Sequence, residues 1–211
     1  MRTDAGAVEL KNIRTRVEVS VSDPTESPAT SKGQRRRQEI VEGAAQILLE
    51  HGPQGVSHRA VAQRVGCSLS ATTYYFSGLD ELLSEAGRVN IARWATRAER
   101  AAEAAEADPV PGSTDGVIDV ILRATLPSDE EMLGHYLQLV AAGESPPVRR
   151  AYRTGRDRLN AAVTRVLERL GVDWSAEMVI ATVDGACVSA LSEGRDVQKT
   201  ARGRLRELLG A

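Results

Sequence analysis

The chain has 211 residues, 42% apolar and 27% charged, with 27 basic against 29 acidic side chains and a formal net charge of −2. That length gives one large domain or two small ones, and the charge balance excludes a polycation, so any nucleic-acid surface must be a local patch. No run of 18 apolar residues exists to cross a bilayer, and the N-terminus has no apolar core of signal-peptide type, so a cytoplasmic protein with no membrane partner is expected.

Residues 1–31 mix charges with the stretch SDPTESPATS and read as a flexible tail. The piece VEVSV at 17–21 alternates like a strand without a partner nearby, and a start site placed too far upstream would read the same way. From Ser31 the pattern changes. SKGQRRRQEIVEGAAQILLEHG puts Ile40, Ala44, Ile47, Leu48 and His51 on one face, which predicts a helix over about 33–51 ended by Gly52 and Pro53. Ser57 can cap a short second helix, SHRAVAQRVG, with Ala60, Val61 and Val65 inward. Gly66 and Cys67 make a turn, and Ser68 can cap a third helix running through Phe76. A long helix and two short ones joined by a tight turn are the layout of a helix-turn-helix head, over 32–77.

A long helix starts near Gly78 with Asp80 and Glu81 in its first turn, where the helix dipole favours acids, and DPVPGST at 108–114 ends it. Further helices are expected at roughly 115–125, 128–142, 147–170, 175–192 and 197–209. The fold class is therefore all-α: an N-terminal three-helix head and a larger C-terminal helical body over 78–211. Cys67 and Cys187 are expected as separate thiols. No HExxH, CxxC or phosphate-cradling glycine loop occurs, so neither metal nor cofactor is expected.

The segment VGCSLSATTYYF, residues 65–76, holds three of the seven aromatic residues. Thr72 and Phe76, four apart, can pack inward together, which leaves Leu69, Ser70, Thr73 and Tyr74 exposed with Tyr75 beside them. Such hydroxyls suit phosphate oxygens, and the apolar parts suit sugars and thymine methyls. Packing of Tyr74 and Tyr75 against the first helix is the alternative. Between Ser31 and Val65 stand six basic residues, Lys32, Arg35, Arg36, Arg37, Arg59 and Arg64, against the acids Glu39, Glu42 and Glu50. A basic run is also what an ordinary solvated face carries. Here Arg35, Arg36 and Arg37 precede a helix-turn-helix at a distance suited to gripping the backbone, and Arg59 opens the second helix, which crosses the phosphates in such modules.

QEIVEGAAQILLEHGPQGVSHRAVAQRVGCSLSATTYYFSGLDELL, about 50 residues, resembles the DNA-binding head of the TetR family of transcriptional regulators. The resemblance implies a homodimer on a palindromic double-stranded DNA operator, usually repressing, and released when a small-molecule effector fills the body. It carries DNA contacts to Arg59, Ser68, Ser70, Thr73, Tyr74 and Tyr75, to which Leu69 and the three arginines are added from the residues themselves. The family often has tyrosine where this chain has Thr73, and lysine where it has Leu79. Backbone grip is then expected to lean on Arg35 to Arg37. A ligand-independent or activating DNA binder of the same fold is the alternative reading.

In the body, Ala181, Gly185 and Ser189 recur every four residues with Ala186 and Ala190 beside them, a pattern that lets another helix approach closely. With the helix over 151–170 these residues are the expected dimer interface. The family's last two long helices usually serve that purpose. Pocket candidates are Ile91, Trp94, Leu122, Met132, His135, Tyr136 and Leu139, with His135-Tyr136 as the body's polar-aromatic pair. Each is equally suited to ordinary core. Glu130, Glu131, His135 and Asp184 show no ExxH or other catalytic spacing, so no enzyme activity is expected.

Overall fold

The computed structural model describes residues 28–210. The VEVSV piece and residues 1–27 of the expected tail lie outside the described residues. Within them the chain forms nine α-helices and no strand: α1 Pro28–His51, α2 His58–Val65, α3 Leu69–Tyr75, α4 Leu79–Ala107, α5 Thr114–Thr125, α6 Met132–Ala141, α7 Pro146–Leu170, α8 Ala176–Ser192 and α9 Val197–Leu208. Cys67 and Cys187 are both free thiols.

Two boundaries differ from the sequence reading. α1 starts at Pro28 rather than near 33, so the last residues assigned to the tail are helical. The Ser- and Pro-rich composition of residues 22–31 hid this. α6 starts at Met132 rather than 128, because Ser128–Glu131 close a turn in which the Glu131 N–H donates to the Ser128 carbonyl (3.0 Å).

The head assembles from local signals. The Ser57 hydroxyl accepts from the Ala60 N–H (3.1 Å) and Gly66 ends α2 at φ 64°, a left-handed position that suits glycine. The Ser68 hydroxyl then accepts from the Ala71 N–H (3.2 Å) to open α3. Ile40, Ala44, Ile47 and Leu48 of α1 are buried with Val61, Thr72 and Phe76. His51, expected on that inner face, is exposed at the helix end beside Glu50. α1 and α2 pack so closely that a β-carbon at Gly43 would lie 2.3 Å from the Val65 side chain. Arg64 of α2 forks onto Glu50 of α1 (3.1 and 2.5 Å), and its guanidinium pulls the Glu50 carboxyl down to about 2.

In the body, α4 runs along α7 at short range. A β-carbon at Gly87 would meet Ala151 at 3.0 Å, and one at Gly155 would meet Ile91 at 2.5 Å. α6 crosses the C-terminal half of α1, where a β-carbon at Gly134 would lie 2.6 Å from the Leu49 carbonyl oxygen. The head is thus seated on the body by α1 against both α4 and α6.

Candidate functional sites in the head and body

The outward face of α3 is polar and open. Leu69, Ser70, Thr73 and Tyr74 are exposed, Tyr74 by 83%, while Thr72 and Phe76 are buried beneath them. The spacing predicts that division. The Thr72 hydroxyl donates to the Leu69 carbonyl (2.8 Å), and the Thr73 hydroxyl donates to those of Leu69 (3.3 Å) and Ser70 (3.2 Å). These bonds leave the Thr73 oxygen free to accept. Tyr75 is half-buried, its ring edge-on to that of Tyr74 at 5.1 Å. Lys32, Arg35, Arg36 and Tyr75 line one shallow cleft beside α3.

The three arginines at the start of α1 do not share one role. Arg37 reaches Glu81 (3.4 Å) and Glu85 (3.7 Å) of α4, and its guanidinium lies 4.8 Å over the Phe76 ring. It ties the head to the body rather than standing free for phosphate, because two acids a turn apart on α4 hold it. Arg36 pairs with Glu39 one turn on (2.7 Å). Among the described residues Arg35 and Arg59 are exposed and have no ion pair. Ser68, spent on its cap and sharing a hydrogen bond with Ser70 (2.9 Å), remains exposed.

The body holds a cleft of about 570 Å³ between α1, α4 and α6. Glu42 and Leu49 come from α1, Asn90, Arg93, Trp94, Arg97 and Arg100 from α4, and His135 and Gln138 from α6, with Glu131 just before it. Of the seven pocket candidates, Trp94 and His135 line it. The other five lie elsewhere. Ile91 packs on Gly155 of α7. Leu122 is buried on α5 beside a separate shallow cleft with Arg123 and Arg202. Met132 borders Leu133 and Leu191, and Leu139 is half-buried against the core. Tyr136 points to α8, where its hydroxyl donates to Asp184 at 3.4 Å. The expected lining was apolar or amphipathic, whereas seven of the thirteen residues around the cleft are charged or amide.

Behind the cleft lies a buried amide hub. Asn90 Nδ2 donates to the Ala45 carbonyl of α1 (3.0 Å) and to Gln138 Oε1 (2.7 Å). The Tyr152 hydroxyl of α7 donates to the same Gln138 oxygen (2.8 Å). Asn90 Oδ1 accepts from Arg93 (3.3 Å), which also pairs with Glu42. Burial pushes the Tyr152 phenol up and drives the His135 imidazole down to about 3, with Arg97 and Arg156 adding to the second effect. His135 is therefore neutral at any ordinary pH.

On α8 the expected interface residues divide. Ala181, Gly185 and Ser189 are exposed, and a β-carbon at Gly185 would meet open space. Trp174, Met178 and Val188 flank them, also exposed. Ala186 and Ala190 are instead buried inside the subunit, because one step along a helix turns a side chain about 100° away.

Residues 111–211 match the family model described as tetracyclin repressor-like, C-terminal domain. The chain is 33% identical over 111 residues to the HTH-type transcriptional regulator PksA of Bacillus subtilis, covering 53% of this chain and 44% of that one. It is 40% identical over 60 residues to the HTH-type transcriptional repressor AcnR of Corynebacterium diphtheriae, covering 28% and 32%. The matched stretches thus span less than half the length of either curated relative. The crystal structure of the multidrug binding protein EbrR complexed with proflavin is 26% identical, with a TM-score of 0.60 over 82% of this chain and 99% of that one. On these matches residues 111–211 carry a tetracyclin repressor-like C-terminal domain, and the chain as a whole is similar to HTH-type transcriptional regulators.

Proposed function

We propose that this TetR-type regulator is a ligand-released repressor that binds a palindromic operator as a homodimer. The observation that carries the reading is the open face of α3: an 83%-exposed Tyr74 with Leu69, Ser70 and Thr73, flanked by the Lys32–Arg35–Arg36 cleft. A short helix of this kind fits the major groove, while neighbouring cations meet phosphates. Repression and ligand response are supported by AcnR, named a repressor, and by EbrR, named a multidrug binding protein. The body cleft supports ligand response over a ligand-independent binder. The exposed small residues of α8, with Trp174, Met178 and Val188, supply an apolar seam for a second copy.

Selection of bound duplexes from a random pool tests the reading. The expected product is an inverted repeat with half-sites about one helical turn apart, roughly 34 Å. Tyr74→Ala lowers affinity for that duplex about tenfold and leaves thermal stability unchanged, since its ring is in solvent. Enrichment of unrepeated sequences refutes the dimeric reading. Unchanged affinity of Tyr74→Ala together with a Thr73→Ala variant refutes the α3 face.

A further inference from the structure

Three buried polar atoms on residues lining the body cleft have no hydrogen-bond partner: Arg97 Nε, His135 Nδ1 and Gln138 Nε2. Gln138 is fully buried and His135 nearly so. The Gln138 oxygen is already occupied by Asn90 and Tyr152, which fixes its NH2 as the unpartnered end. Arg97 Nε is likewise a donor only. Among the described residues no carboxylate lies within 4 Å of the Arg97 guanidinium, although Glu131 lines the same cleft. The other rim acid, Glu42, is taken by Arg93. An Nε–H withdrawn from water without an acceptor is costly, and burial pushes Arg97 down from its ordinary value against the pull of Glu131. Around His135 the potential is positive, because both Arg97 and Arg156 oppose its protonation. Trp94 forms an aromatic wall, its ring 4.4 Å from His135 and 5.0 Å from Tyr152.

We propose that the cleft takes a small organic carboxylate, its oxygens on Arg97 and the Gln138 amide and its apolar part against Trp94. This rests on the reading of the body as a ligand sensor and names the chemical class it senses. A carboxylate and a phosphate monoester share the oxyanion that Arg97 requires. Arg93, Arg97 and Arg100 against Glu42 and Glu131 leave the cleft one positive charge in excess, which matches a single negative charge and so favours the carboxylate. The volume, about 570 Å³, suits a molecule of one or two rings.

Calorimetric titration of the full chain with benzoate, phenylacetate, salicylate and naphthoate, against benzamide, benzylamine and phenyl phosphate, tests this. At least one acid is expected to bind about tenfold or more tightly than the amide and the amine. Arg97→Met removes that preference and raises the melting temperature of the unliganded protein, because it deletes an unpaired charge. Arg97→Lys keeps the preference in weakened form. No binding of any acid up to about 10 mM overturns the proposal, as does equal binding of acids and amides. Tighter binding of phenyl phosphate than of every acid overturns the choice of carboxylate. A lower melting temperature in Arg97→Met with unchanged acid binding makes Arg97 structural and overturns the site. Operator binding is followed separately. An acid that binds without displacing DNA sinks ligand release but leaves the carboxylate site standing, whereas displacement by the amine alone does the reverse.

Discussion

Gly134→Ala tests the seat of the head on the body. The added methyl would lie 2.6 Å from the Leu49 carbonyl oxygen and 3.3 Å from Leu49 Cδ1. An ordinary carbon–oxygen contact needs about 3.3 Å or more, so α6 must retreat from α1 by roughly 0.7 Å. The carbonyl belongs to a helix and cannot rotate aside as a side chain would. Overpacking of this kind costs about 1–3 kcal/mol, while alanine in a helix interior returns up to about 1 kcal/mol. Gly203→Ala in α9 provides the control, since its methyl meets nothing within 4 Å and gains the helix term alone. Urea denaturation should therefore separate the two variants by about 2 kcal/mol, with Gly203→Ala the more stable. Equal gains in both would show that α6 does not touch the α1 backbone at Gly134, and the head would have to be held in some other way.

Two more expectations concern charge. Asp184 on α8 is raised to about 6 by burial, against the pull of Arg156 and the Tyr136 hydroxyl, from an ordinary 3.8. The unfolded chain therefore releases this proton first, stability falls as pH rises from 3.8 to about 6, and the full penalty holds above that. Asp184→Asn gains up to about 3 kcal/mol at pH 7.5 and nothing near pH 4; a gain independent of pH refutes the assignment. Arg35→Ala lowers the salt slope of operator binding by about one and leaves stability unchanged, while Arg37→Ala lowers stability by about 1 kcal/mol or more. Salt titrations and melting curves of the two variants, if interchangeable, refute the division of roles among the arginines.

The head was legible because its signals are local. Ser57, Gly66 and Ser68 are punctuation that acts within four residues, and the four-residue step from Thr72 to Phe76 sets which side of α3 faces in. The fate of Arg37 was not legible, since its acids lie 44 and 48 positions away on α4. The body cleft was hidden for a related reason. α6 reads as apolar all round, with Met132 and Tyr136 buried, Leu133 and Val140 exposed, and His135 and Gln138 on the cleft. Its pattern therefore names no inner face. That Arg97 lacks a partner is a property of what surrounds it after folding, and no spacing rule reports it.

The hollow under Trp94 is bordered by α1 as well as by the body, through Glu42 and Leu49. A swing of the head about its junction with α4 therefore cannot leave that space unchanged. For the proposed ligand sensor, tilt and occupancy become one coordinate, with no relay of contacts needed between distant points. In the proposed regulator, chemical selectivity and mechanical response are then written in overlapping residues, so a substitution that alters what the hollow admits also resets the resting angle of α3.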